Sequence, residues 1–298
     1  MSLEVEGGGA TSDPVADSPL AGRRKLRHVI ADHPSMIAAG LMLLAIVVAV
    51  VLAPLIAHAR PDQIVVTDRL KGPSGAHLFG TDNLGRDILA RTLYGGRTSL
   101  EIGLVVALIS VGGGTLIGLL VGFYEIVDMI VMRIVDGLMA LPALVLAISM
   151  IGVLGAGTTT VVICLSIVYI PRVVRVIRGS VLIIRKSTFV DDERALGQSE
   201  PYILFRHVLP HCMSPVIVQA SFIFSYAILA EAGLSFLGVG IPDSVPSWGN
   251  ILTDARSYIS TAWWMSIFPG LAIALTVLSL NVFGDGLRDM LDPRLKER

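Results

Sequence analysis

Apolar residues dominate six stretches of the chain, roughly 36–57, 100–124, 135–154, 159–177, 213–237 and 263–283. Each is close to the length a helix needs to cross a hydrocarbon core about 30 Å thick. The pattern predicts an all-α integral membrane protein with six transmembrane helices. Two intervals interrupt the apolar rhythm at length, an outer one over 58–99 and a charged one over 187–210.

The second interval reads Ser-Thr-Phe-Val-Asp-Asp-Glu-Arg-Ala-Leu-Gly-Gln-Ser-Glu-Pro-Tyr-Ile-Leu-Phe-Arg-His-Val-Leu-Pro. Asp191, Asp192, Glu193 and Arg194 lead into a short helix ending at Gly197, a residue suited to a left-handed cap. Ser199 is a candidate N-cap, Pro201 fits a first helical turn, and Ile203, Leu204, Phe205, Val208 and Leu209 recur at helical spacing. Pro210 is expected to stop that run. The product is a helix–glycine–helix hairpin, polar outside and apolar on one face. It does not belong in hydrocarbon; it is either a solvated loop or an element that docks into a groove on a soluble partner.

The ends and the charge distribution give an orientation. Residues 1–22 carry Gly7-Gly8-Gly9, Pro14, Pro19 and scattered acids, and read as a disordered cytoplasmic tail. Arg23, Arg24, Lys25 and Arg27 make 23–35 a basic juxtamembrane segment. The apolar run that follows is longer than the core of a secretory signal, so an uncleaved first span is favoured over cleavage near Ala57-His58-Ala59. With the amino end inside, about 16 of the 23 lysines and arginines fall on the inner side and about 7 outside, the bias expected of cytoplasmic loops. The interval 187–210 and the tail 284–298 are then cytoplasmic, and residues 100–283 form the core with five spans.

Composition narrows the class. A mean hydropathy of +0.74 with 53% hydrophobic and 16% charged residues excludes an ordinary soluble domain. The formal net charge of −1 gives no sign of nucleic-acid binding. Cys164 and Cys212 lie far apart, without zinc or disulfide spacing. No Gly-x-x-x-x-Gly-Lys-Ser/Thr occurs, and no nucleophile–base set or metal-ligand cluster is evident, so the chain is read as a non-catalytic component with no cofactor of its own.

Few residues inside the apolar runs invite chemistry. Glu231, towards the outer end of the fifth run, is a functional candidate because a buried acid is costly; alternatively it stays wet near the interface or hydrogen-bonds a backbone group. Arg133 and Asp136 are spaced to pair on one helix. Pro142, Pro171 and Pro269 are expected to bend helices, and Gly112-Gly113-Gly114 with Gly118 to permit close helix approach. Trp263 and Trp264 read as interfacial anchors, and Gly233, Gly238 and Gly240 would suit a bent outer gate.

Several separated motifs resemble one family. The interval 187–210 is similar to the EAA loop of the membrane subunits of bacterial ABC importers, with Asp191 as the acid, Gly197 as the glycine and Leu209-Pro210 as the end. Asp192 and Glu193 stand where the family has alanines; if both face a partner's cleft, that cleft should be unusually basic. The outer stretch Gly80-Thr81-Asp82-Asn83-Leu84-Gly85-Arg86-Asp87 resembles a mark of the peptide and nickel (Opp/Dpp) branch, in the C-type of its two membrane subunits. Met132–Asp136, Ala230–Gly240, Ser247-Trp248-Gly249 and Gly284–Pro293 agree with that branch, and Glu125-Ile126 departs from it where the family often has glycines.

The resemblance implies the type I importer permease fold in the bacterial inner membrane, with the hairpin as the ATPase-coupling element. It also implies a second homologous permease subunit, two ATP-binding subunits that hold ATP and magnesium, and an extracytoplasmic solute-binding protein. The solute implied is a di- or oligopeptide, with nickel chelates, glutathione or opines as alternatives. From other classes, an ion-coupled secondary transporter predicts intramembrane acids and repeated halves, and a membrane-anchored scaffold predicts no transport.

Overall fold

The computed structural model describes residues 34–57 and 59–291. The expected amino-terminal tail, most of the basic segment and residues 292–298 lie outside them. The described chain is almost wholly helical, its only strand-like pairing being the isolated bridge Thr81–Asp87. In order the main helices are α1 (Pro34–Val51), α2 (Ile88–Phe123), α3 (Glu125–Met139), α4 (Ala143–Leu154), α5 (Thr158–Ile184), α6 (Thr188–Ala195), α7 (residues 200–211), α8 (Met213–Phe236), α9 (Trp248–Ala255) and α10 (Trp264–Leu291). Five of them are long and apolar enough to cross a membrane, and six spans result if the bent pair α3–α4 counts as one.

The third expected span is therefore not a straight rod. Its two halves meet at 91°, and Pro142 sits at the joint, where it has no N–H to continue the helix and disfavours helical geometry in Leu141. Pro171 and Pro269, by contrast, lie inside continuous helices. Helix α2 starts at Ile88 rather than near Leu100 because Asp87 caps it, its carboxylate accepting from the Ala90 N–H at 2.9 Å. At 1.5 Å per residue its 36 residues reach about 54 Å, so it extends well past the hydrocarbon.

Helices α2 and α5 form the centre of the bundle. A β-carbon placed on Gly114, Gly118 or Gly122 would lie 2.6–2.8 Å from the β-carbons of Val173, Ile177 and Val181. This three-step ladder lets the two backbones approach closely. The expected glycines are only partly the right ones, since Gly112 faces open space and Gly113 has only ordinary contacts. Helix α8 packs on α2 and α10, and α1 lies against α10.

Two compact clusters cap the bundle. At the end that carries the Gly80–Asp87 motif, Ile88, Ile228, Trp248, Ile251, Trp264 and Met265 bury together. At the opposite end Leu119, Phe123, Ile177 and Val181 receive Val190, Ile203, Leu204 and Val208 of the hairpin. The tryptophan expectation divides here: Trp263 is exposed, whereas Trp264 is buried, its indole N–H donating to the Thr81 carbonyl at 3.0 Å.

Candidate functional site

The hairpin is built by α6 and α7. Gly197 has φ +79°, its N–H donates to the Arg194 carbonyl at 3.0 Å, and the next N–H, of Gln198, donates to the Glu193 carbonyl at 3.1 Å. This left-handed turn ends α6 and reverses the chain. Residues 200–211 then pass through a π-helical stretch, Ile203–Val208, directly before Leu209-Pro210. Pro210 does not end the run as expected: the chain stays helical through His211 and, after Cys212, enters α8. The proline has no N–H for a carbonyl one turn back, and wider hydrogen bonding ahead of it absorbs that loss.

Charged residues hold the two arms together. Arg194 reaches Glu200 (Nε–Oε1 3.1 Å) and Asp191 (Nη1–Oδ1 3.4 Å), and its guanidinium stands 5.7 Å from the centre of the Phe123 ring on α2. Asp192 and Glu193 part company. Asp192 is exposed, while Glu193 turns inward to His207, 3.5 Å from its Nε2. Only Asp192 of that pair is therefore left facing outward. Beside it Leu196, Tyr202 and Phe205 are exposed at the tip while Val190, Ile203, Leu204 and Val208 are fully buried. An apolar tip on a polar hairpin is the surface a docking partner would cover.

Helix α3 is fastened to α5 by arginines that the sequence pattern did not single out. Arg175 pairs with Asp136 (2.9 Å), Arg178 grips Asp128 with two bonds (2.6 and 2.8 Å), and Arg185 reaches Glu125 (2.8 Å) and the Phe123 carbonyl (2.9 Å). Asp136 thus pairs across to α5, not with Arg133 on its own helix. The i, i+3, i+6 spacing of Arg172, Arg175 and Arg178 was the available signal.

The outer motif is a buried knot. Asp82, fully buried, accepts from the N–H groups of Leu84 (2.8 Å) and Arg86 (2.9 Å), from Arg86 Nε (2.5 Å) and from Arg91 Nη1 (2.8 Å). Arg86 and Arg91 both continue to Asp254 in α9, at 2.9 and 2.8 Å. Asp87 caps α2 and meets His77 at 3.0 Å, and Thr81 donates to the Asp68 carbonyl. The Lys71 ammonium, 2.6 Å from Asp68, and then His77 hold the Asp68 carboxyl below its usual range against the opposing push of desolvation. Gly80 and Gly85 have φ +77° and +78°, and a β-carbon on Gly85 would overlap the Val65 carbonyl oxygen at 1.9 Å.

Glu231 is fully buried and accepts from Ser99 Oγ at 3.0 Å and Ser235 Oγ at 2.9 Å, while Ser99 Oγ accepts from the Trp248 N–H. Its partners among the described residues are serine hydroxyls rather than backbone groups, and they join α2, α8 and α9. Gly238, φ +77°, caps the end of α8. Asn250 donates to the carbonyls of Ile241, Pro242 and Val245 and pins the loop between α8 and α9. The structure thus separates the candidates into one set on the hairpin and another, at the opposite end of the bundle, in the knot and the Glu231 cluster.

A bundle of apolar spans with a charged hairpin at one end and a locked polar cap at the other fits the membrane subunit of an ABC importer of type I. Residues 114–297 match the family described as binding-protein-dependent transport system inner membrane component, and the chain belongs to that family, in its peptide/nickel (Opp/Dpp) branch. A peptide transport system permease protein of Brucella abortus is 47% identical over 93% of this chain and 92% of its own length. The glutathione transport system permease of Pectobacterium atrosepticum is 42% identical over 92% and 90%. The di/tripeptide transport system permease of Pseudomonas aeruginosa is 41% identical over 96% of each chain.

Proposed function

We propose that this chain is one of two homologous permease subunits that import short peptides across the bacterial inner membrane, both of its termini being cytoplasmic. An extracytoplasmic binding protein delivers the solute. Two ATP-binding subunits, with their ATP and magnesium, receive the hairpin, and their closure moves it. The observation that carries this reading is the hairpin itself: an exposed Leu196–Tyr202–Phe205 tip on arms that are buried against α2 and α5. A push on the tip is thereby transmitted to the central helices.

Among the alternatives, glutathione, itself a modified tripeptide, is favoured by the 42% identity to a glutathione permease. The decisive experiment is ATP hydrolysis by the purified assembly in liposomes, with binding protein loaded with a mixed peptide pool or with glutathione. Stimulation by loaded peptide, lost in Gly197→Val, is expected. Stimulation by glutathione alone keeps the mechanism and changes the cargo. If no ATPase co-purifies and uptake collapses with a proton uncoupler, an ion-coupled transporter replaces this reading. If uptake persists without the chain, the scaffold does.

A further inference from the structure

Of the basic residues along α5, Arg175, Arg178 and Arg185 are each paired with a carboxylate of α3, in steps that descend to the cytoplasmic end. Arg172, the highest of the series, has no carboxylate in reach among the described residues. Its guanidinium lies 4.4 Å from the centre of the Tyr226 ring on α8, with Nη2 at 3.5 Å from the Tyr226 hydroxyl. Tyr226 is held in turn by Tyr169, whose hydroxyl donates to its carbonyl at 3.2 Å.

The depth of Arg172 makes this arrangement informative. It stands near the middle of α5, about 20 Å from either end at 1.5 Å per residue, in a hydrocarbon core of about 30 Å. It is exposed on this chain. An arginine at such depth costs several kcal/mol against lipid and is normally turned to a bundle interior or a water-filled cavity. Below it the same faces of the two helices open into a cavity of about 690 Å³. Val176 and Ser180, one and two turns from Arg172, line one wall, and Phe222 and Gln219, one and two turns from Tyr226, line the other. Gln219 Oε1 is buried there without a donor. Arg172 stands one turn above this cavity, held by an aromatic ring rather than neutralised, and Arg288 of α10 with His211 add basic groups to the cavity's lower wall.

We propose that the cleft between α5 and α8 is this chain's wall of the solute path, and that Arg172, positioned by Tyr226, takes the carboxylate of the passing solute. A guanidinium binds a carboxylate through two parallel bonds, which a lysine ammonium does not reproduce. The aromatic partner offsets the cost of leaving the cation unpaired between solutes. The carboxylate assignment rests on the peptide reading above; the assignment of the path does not.

The test uses the complete assembly in liposomes with its binding protein. In the first arm, Arg172→Cys is treated with a membrane-impermeant anionic methanethiosulfonate, the native Cys164 and Cys212 being buried. Reaction is expected, slowed at least threefold during turnover with peptide-loaded binding protein. Reaction only with a membrane-permeant maleimide, or none in any nucleotide state, would place the side chain against lipid or a sealed interface and overturn the proposal. In the second arm, uptake of labelled dialanine is measured at saturation. Arg172→Gln is expected to lower it at least tenfold and Arg172→Lys by less, with the second permease subunit still co-purifying in full. Loss of that subunit in Arg172→Gln would mean that Arg172 pairs with a carboxylate across the subunit interface, and the proposal fails. If peptides never stimulate the wild-type assembly, the peptide reading fails by itself, while thiol accessibility still decides whether Arg172 lines the path.

Discussion

Replacing Gly197 separates backbone geometry from side-chain bulk at the hairpin tip. The residue has φ +79°, yet a β-carbon built on it meets nothing within 4 Å. Within this chain, a substitution therefore costs only the left-handed conformation, about 1–2 kcal/mol for an L-residue. That is smaller for asparagine, which tolerates this region, and larger for a β-branched residue. The turn is closed by two backbone hydrogen bonds, at 3.0 and 3.1 Å, each of net value about 0.5–1.5 kcal/mol. The strain is thus comparable with what holds the turn shut. Because 1.4 kcal/mol is tenfold in a population, Gly197→Asn should lower binding-protein-stimulated ATP hydrolysis less than about twofold, Gly197→Ala by roughly two- to tenfold, and Gly197→Val by about tenfold or more. The assay is the difference between ATPase rates with and without loaded binding protein, normalised to assembled complex. If asparagine is as damaging as valine, side-chain volume and not backbone hand is limiting. The tip would then be gripped by its partner at Gly197 itself, and the argument from strain would be wrong.

Other perturbations test the outer cap and the buried acids. Asp82→Asn turns an amide N–H₂ towards either two arginines or two backbone donors, and should destabilise the assembly by about 3–5 kcal/mol, as breaking a buried ion cluster does. Asp254→Asn, whose acid is part-exposed, should cost about 1–2 kcal/mol; equal shifts in thermal unfolding of the two variants would refute the ranking. Glu231→Gln keeps an acceptor for Ser99 or Ser235 and should cost under about 1 kcal/mol, against about 2–3 for Glu231→Ala, which strands both hydroxyls. A large effect of Glu231→Gln on transport with unchanged stability would instead assign the charge a role in transport. Burial pushes the Cys212 thiol up to about 11, so at pH 8 only about one thiol in a thousand is ionised. Its labelling should be negligible there and rise towards pH 11, and rapid labelling at pH 8 would show that the junction of hairpin and α8 opens.

The periodic features of this protein were legible in its sequence, and the non-periodic ones were not. Five of the apolar runs became single helices, because hydropathy over about 20 residues records the membrane directly. The turn at Gly197 was legible because few residues adopt its backbone. The bend expected at Pro142 is there, but no such break occurs at Pro171 or Pro269, since proline permits both the sharp break at α3–α4 and the continuous helices around the other two. Neighbours made the difference: Pro171 and Pro269 are buried in packed helices, whereas Leu141 and Pro142 are exposed. The outer knot was visible as a motif but not as a core, because Asp82 and Asp254 lie far apart in sequence and only the fold brings them to the same two arginines. Glu193 was paired with Asp192 by adjacency, although neighbours on a helix point about 100° apart and only one of the two could face outward.

These connections restrict how the molecule can move. The outer end joins 68–91, α9 and the starts of α2 and α10 through buried ion pairs, the Asn250 bonds and the Trp264 bond, so separating its parts would expose several charged groups at once. The inner end is equally tied: three arginines fasten α3 to α5, and the hairpin is buried against α2 and α5. The glycine ladder locks α2 to α5 along their length. The boundary between α5 and α8 is packed in its upper half and tied by the Tyr169 hydroxyl on the Tyr226 carbonyl, opens below into a cavity, and has Arg172 resting on an aromatic ring instead of a carboxylate. A push on the hairpin tip is passed to α2 and α5, against which its arms are buried, and α3 follows α5 through its three arginine pairs.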